Sequence, residues 1–233
     1  MATVLEQLLA LAAAGTMLIS SSLTAAAPQN DVDGLLFLQN RQWRVSKYYE
    51  PKTIKAAVPG QLQDMRADAA AALEEMFAAC KEDIGVTLKA VSGYRSYQRQ
   101  STIYSNKVDR VGSKEKADEY VARPGASEHQ LGLAMDVGQK SDDVNLTSSF
   151  GKTKGGKWVA EHCWEYGFIL RYKEGWEDVT GYSYEPWHVR YVGKEYAAMI
   201  HENEMPLEHF LLLIRQDALM EIVLGSNEEV AAP

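Results

Sequence analysis

Cys80 and Cys163 are the only two cysteines in 233 residues. So few exclude a disulfide framework and a zinc site built from four thiolates. Both fall at apolar positions of helical stretches, which favours two buried free thiols over a single bridge. A basic surplus is missing too: 24 Lys and Arg stand against 32 Asp and Glu, a formal net charge of −8. Neutralising phosphates needs a basic surface, so no nucleic acid is expected as a partner. Nor is there a general attraction to anionic lipid. No internal repeat occurs. The helical metal motif with two histidines one turn apart is unavailable around His188, because Pro186 opposes a helix interior there.

What is present is ordinary globular composition, 46% hydrophobic and 24% charged, in a length that suits one domain and a short appendage. The compositional break is at the start. "VLEQLLALAAAGTMLISSSLTAAAPQN" is apolar, rich in small residues, and resembles the core and cleavage region of an export signal. No Lys or Arg precedes it, Glu6 sits inside it, and no lipobox cysteine follows. Residues 1–34 are therefore expected to be an export signal or an N-terminal membrane anchor plus linker, against the alternative of an amphipathic helix of the folded domain. An exported, extracytoplasmic protein, secreted or membrane-anchored, follows from the first reading.

Periodicity then gives the elements. Leu62, Met65, Ala69, Leu73, Met76, Phe77 and Cys80 recur at helical spacing over 61–82. "GVTLKAVSG" alternates as a half-buried strand does. "YRSYQRQSTIYSNKV" opens a second helix, and "SKEKADEYVA" is a short charged one. "RPGASEHQLG" carries Pro124, Gly125 and Gly132 and predicts a loop running into the apolar segment "LAMDVG". "GKWVAEHCWEYGF" is helical, "SYEPWHVRYVG" loop then strand, and two helices separated near Pro206 close the chain. Helices and strands do not alternate regularly, so the fold class is α+β.

Two polar groups occupy segments that otherwise read as core. His129 begins "HQLGLAMD" and Asp136 closes it; His188 poses the same problem inside "PWHVRYV". A carboxylate in an apolar strand is costly unless something pairs with it. One divalent ion would satisfy all three, and two imidazoles with one carboxylate suit zinc with a fourth position open to water. Activating that water needs a base, and Glu185 is near His188 on a loop. Each residue also has a plain reading: a histidine ahead of a strand is more often structural, Asp136 can cap a turn, and Glu185 can be solvated. His162, His201 and His209 take the structural reading, being helical with no matching carboxylate.

"SGYRSYQRQ" (Ser92 to Gln100), "SEHQLGLAMDV" (Ser127 to Val137), "YGFILRY" (Tyr166 to Tyr172) and "TGYSYEPWHVRYVG" (Thr180 to Gly193) occur in that order. Together they resemble the VanY-type D-alanyl-D-alanine carboxypeptidases, zinc metallopeptidases of bacterial cell-wall metabolism. The likeness runs from about Leu35 to Leu212. It implies one catalytic Zn2+ held by His129, Asp136 and His188, with Glu185 as the catalytic base and Arg95 stabilising the developing oxyanion. It implies Gln100 and Ser127 as contacts to the substrate's terminal residue. Trp187 and the tyrosines of "GYSY" can wall the pocket or belong to the core. The implied fold is a small, mainly antiparallel sheet flanked by helices.

The expected organisation is thus a leader over 1–34, a zinc D,D-carboxypeptidase domain over 35–212, and a C-terminal helical extension and tail over 213–233. The expected partner is a peptidoglycan stem peptide or precursor ending in D-Ala. The nearest rival is an L,D-carboxypeptidase acting on the tetrapeptide stem. A rival of another class is a non-catalytic cell-wall peptide-binding protein on the same scaffold.

Overall fold

Four antiparallel strands form the sheet that carries the chemistry, in the order β3 (Leu88–Ser92), β4 (Ala134–Gln139), β6 (His188–Tyr191), β5 (Phe168–Leu170). A separate two-stranded ribbon pairs β1 (Ile54–Lys55) with β2 (Asp64–Met65). The computed structural model describes residues 31–140 and 146–217. Residues 38–207 make one compact unit, which contains everything described below. The described residues 31–37 and 208–217 belong to a second unit, in which 208–217 are helical. The leader expected over 1–34 lies, but for its last residues, outside the described residues. Among these, no helix is long and apolar enough to cross a membrane.

The α+β expectation holds, and the reasons are local. Helix α1 (Ala67–Ile84) buries Ala69, Ala70, Leu73, Met76, Phe77 and Cys80, the stripe that a 3.6-residue period requires. It ends where Gly85 takes φ 70° and its N–H bonds the Lys81 carbonyl at 3.0 Å. The start corrects the sequence reading, since residues 61–66 are not helical. Leu62 has φ 48° and is exposed, and Asp64–Met65 is the second ribbon strand. Apolar spacing alone could not see that break, because Met65 is buried as a strand residue.

Helix α2 (Tyr97–Val111) is capped by Ser96, whose hydroxyl accepts from the Arg99 N–H at 3.2 Å. The shorter helices are α3 (Lys114–Asp118), α4 (Lys154–His162), α5 (Glu177–Thr180) and α6 (Lys194–Glu202). Strand β4 is buried along its whole length, as a central strand covered on both faces must be. Cys80 and Cys163 are free and buried, as expected. Burial pushes the Cys80 thiol up to about 11 and the Cys163 thiol up to about 12, so both are inert at neutral pH.

Candidate metal centre and cleft

Register builds the site. In the antiparallel pairing of β4 with β6, Asp136 lies directly opposite His188, and facing side chains on one sheet face stand close enough to share a ligand. Asp136 is not at the strand end, as the sequence suggested; β4 continues to Gln139. On the other side, the β3–β4 register shifts between Ala90 and Ser92, so that Ser92 also pairs with Asp136. Such irregularities re-aim a side chain near active sites. Here Ser92 Oγ accepts from Arg95 Nε at 3.0 Å.

His129 comes from the loop before β4. Its segment, expected as plain loop, forms a short 3-10 turn, Glu128–Leu131, which ends at Gly132 with φ 69°. The His129 Nδ1–H donates to the Gly93 carbonyl at 2.7 Å. Glycine is required at 93: a Cβ there would lie 2.4 Å from the Asp64 carbonyl oxygen. Two otherwise unrelated loops therefore meet at a residue without a side chain, and the imidazole is aimed from their junction.

The three donors converge. His129 Nε2 is 3.2 Å, and His188 Nδ1 3.1 Å, from Asp136 Oδ1. One donor atom from each residue lies within 4.8 Å of the others, all three side chains being buried. Zinc bonds of about 2.0–2.1 Å in tetrahedral array place ligand atoms about 3.3 Å apart, so the set fits that ion. The remote nitrogens are engaged as ligand imidazoles require: His129 Nδ1 on Gly93, and His188 Nε2 on Glu128 Oε2 at 3.2 Å.

Electrostatics match. Burial and the Arg95 cation push His129 down to about 4, so its Nε2 is bare at neutral pH. Burial alone would raise the Asp136 carboxyl; the neighbouring His129, the Arg95 cation and the hydrogen bond from His188 hold it well below the usual carboxylate range. For His188, burial is outweighed by its hydrogen bonds to Asp136 and Glu128, which push it up to about 9. The surroundings of that ring favour a positive charge, and a divalent ion supplies one.

Glu185 and Arg95 line, together with this cluster, a cavity of about 600 Å³ whose wall also includes Gln100, Ser127 and Trp187. Burial pushes the Glu185 carboxyl up to about 7, with His188 and Arg95 opposing the rise. Arg95 Nη2 is 2.6 Å from Asp136 Oδ2 and 2.6 Å from His129 Nε2. Gln100 is on the cavity wall and also braces Arg95. Its Oε1 accepts from Arg95 Nη1 at 3.1 Å and its Nε2 donates to the Ala122 carbonyl at 2.7 Å, so its amide positions Arg95 from the cavity wall. Ser127 is buried and Trp187 half-buried at that wall. His162 and His201 lie outside the lining; His162 bonds Glu165 at 2.8 Å and His201 stacks on Trp164.

Sequence reasoning missed Glu128. It is fully buried, and its Oε1 accepts from Arg171 Nε and from Arg190 Nη1, both at 2.9 Å. Two arginines inside the apolar runs "FILRY" and "HVRYV" were the available signal, since a buried guanidinium demands a buried carboxylate.

An α+β scaffold with a buried His–Asp–His donor set, and with a carboxylate and a guanidinium lining the same cleft, defines a single-ion metallohydrolase. A family model described as VanY, D-alanyl-D-alanine carboxypeptidase, matches residues 62–194. The putative carboxypeptidase YodJ of Bacillus subtilis (strain 168) is 44% identical over 193 residues, covering 79% of this chain and 69% of that protein. The solved LdcB LD-carboxypeptidase is 44% identical with a TM-score of 0.71, over 78% of this chain and 86% of that one. A glutamate-to-alanine mutant of the D,D-pentapeptidase VanY from a VanB-type resistance cassette, solved with Zn(II), is 33% identical with a TM-score of 0.66, over 76% and 98%. The chain belongs to the VanY carboxypeptidase family.

Proposed function

We propose that this carboxypeptidase releases the terminal D-alanine of peptidoglycan stem peptides, as a D,D-carboxypeptidase of the pentapeptide. The convergence of His129, Asp136 and His188 in one cavity with Glu185 and Arg95 carries the reading. His129 Nε2, Asp136 Oδ1 and His188 Nδ1 would hold zinc. When bound, zinc acidifies water to a pKa of about 7 and polarises the peptide carbonyl.

This chain's residues do the rest. Glu185 takes the proton released as water adds to the carbonyl carbon, then delivers it to the amide nitrogen. The carbon–nitrogen bond breaks and D-alanine leaves as a neutral amine. Arg95, held by Ser92 and Gln100, donates to the carbonyl oxygen as charge gathers on it. Removing such a donor typically costs about 10²–10³-fold. Ser127 and Trp187 line the same cavity, and this reading gives them the grip on the terminal residue. The same reading puts the protein outside the cytoplasmic membrane, where stem peptides lie, in keeping with the apolar composition of residues 1–34.

The second reading is L,D cleavage of the tetrapeptide. Supporting it, the LdcB LD-carboxypeptidase shares 44% identity with this chain against 33% for the VanY D,D-pentapeptidase. Incubating the zinc-loaded protein with muramyl pentapeptide and tetrapeptide, and weighing the products, separates the two. Loss of one alanine from the pentapeptide, faster than from the tetrapeptide, supports the first reading. The reverse order establishes the second, and an intact pair refutes both.

A further inference from the structure

Helix α2 carries a positive end into the cavity. Gln100, Ile103, Lys107 and Arg110 all line it, and their spacing of three, four and three puts them on one helix face. At 1.5 Å per residue, Lys107 stands about 10 Å and Arg110 about 15 Å beyond Gln100 along the axis. Gln100 marks the end at the donor cluster, through its bond to Arg95. The cavity thus runs from the reacting groups to a pair of cations.

Among the described residues neither Lys107 nor Arg110 makes an ion pair. Of the two acids on the adjacent helix α3, Asp118 is committed to Arg123 Nε at 2.9 Å and to the Tyr104 hydroxyl at 2.8 Å, and Glu115 accepts from the Ser113 hydroxyl at 2.9 Å. Lys107 Nζ instead sits 4.2 Å above the Tyr120 ring centroid, and an aromatic face steadies an ammonium without cancelling its charge. Burial and the neighbouring Arg110 both push the Lys107 ammonium below its usual value. Two like charges held together in a cavity are uncomfortable until an anion arrives, and a chain of net charge −8 has carboxylates to spare if the pair were only structural.

We propose that Lys107 and Arg110 form an anion subsite for a carboxylate carried by the substrate peptide about three residues from the cleaved bond. This rests on the stem-peptide reading above. An extended chain advances about 3.3–3.6 Å per residue, so three residues span the distance from Gln100 to Lys107. A γ-linked D-glutamyl residue offers such a group, its α-carboxylate standing free beside the chain. The subsite would make the enzyme prefer the acid over the same peptide with that carboxylate amidated.

The test uses the zinc-loaded full chain and two synthetic stem peptides that differ only there, free α-carboxylate or α-amide. Wild type should favour the acid in kcat/KM, and added salt should shrink the preference. In the double variant Lys107→Gln, Arg110→Gln, the acid-to-amide ratio of kcat/KM should fall about tenfold. Both positions lie on the partly exposed face of a helix, and circular dichroism reports whether the variant is folded. A ratio unchanged by the double variant overturns the proposal. So does an equal loss on both peptides, which would give the pair to the terminal carboxylate. Wild type cleaving both peptides alike sinks the subsite alone, and wild type cleaving neither sinks the stem-peptide reading with it.

Discussion

The Nε2 of His188 lies 3.2 Å from Oε2 of Glu128, in a place closed to solvent. This bond fixes the ring: Nε2–H is donated to a carboxylate, and Nδ1, 3.1 Å from Asp136 Oδ1, is the nitrogen that would exchange its proton for a metal ion. Glu128 is itself held low by Arg171 and Arg190, which overcome the burial that would raise it. The imidazole is therefore oriented by a carboxylate that cannot swing away without breaking its bonds to two buried guanidinium groups.

Glu128→Gln should weaken zinc binding about 10- to 100-fold, the usual cost of losing a partner behind a ligand. It should also lower stability, because breaking a buried ion pair costs about 3–5 kcal/mol. Chelator competition on the folded protein measures the first effect and denaturant unfolding the second. Unchanged metal affinity in a folded variant would reduce Glu128 to a purely structural anchor.

Arg95 predicts an opposite pattern. Its guanidinium sits 2.6 Å from both Asp136 Oδ2 and His129 Nε2, so it repels a divalent ion held by these two residues. Arg95→Ala should lower kcat by about 10²–10³-fold while leaving zinc affinity equal or tighter. Loss of metal together with activity would show instead that Arg95 organises the ligands.

How much of this was legible in the sequence follows from which constraints are local. The helix over Ala67–Ile84 announced itself through its buried stripe. His129, Asp136 and His188 stood out as polar residues set in apolar segments, and their pairing across β4 and β6 then follows from antiparallel register. Glu128 did not stand out, because a glutamate beside Gly, Ala and Ser looks like any solvated loop residue. Its meaning depends on Arg171 and Arg190, which are 43 and 62 positions away. Gln100 was read as facing the substrate; it lines the cavity, and the fold adds bonds to Ala122 and Arg95 that spacing could not show. Spacing identifies residue types that suit a reaction; only the folded contacts show which neighbours hold them in place.

Metal removal should leave the fold standing. The Arg95 cation already compensates the Asp136 carboxylate, so the stripped site is not an isolated buried charge. Dialysis against a chelator should abolish hydrolysis while the far-ultraviolet dichroism persists, and zinc should restore activity. The unfolding temperature should climb with zinc concentration as mass action requires. A chelated protein that unfolds outright would make the ion structural.

Glu185 sets the acid limit of the reaction. It acts as a base only as the carboxylate, so activity is lost as pH falls through its pKa. Burial pushes that carboxyl up to about 7; a cation bound nearby favours the charged form and draws it down. The acid limb of kcat/KM should therefore fall at pH 7 or below, and higher when measured on a protein whose ion is bound more weakly. Glu185→Gln should retain zinc and lose about 10²–10⁴-fold in kcat, with that limb gone from the residual rate. The solved VanY relative, a glutamate-to-alanine mutant, holds Zn(II). If Glu185→Gln in this chain lost its metal as well as its rate, the residue would be a ligand, and the proton would need another acceptor.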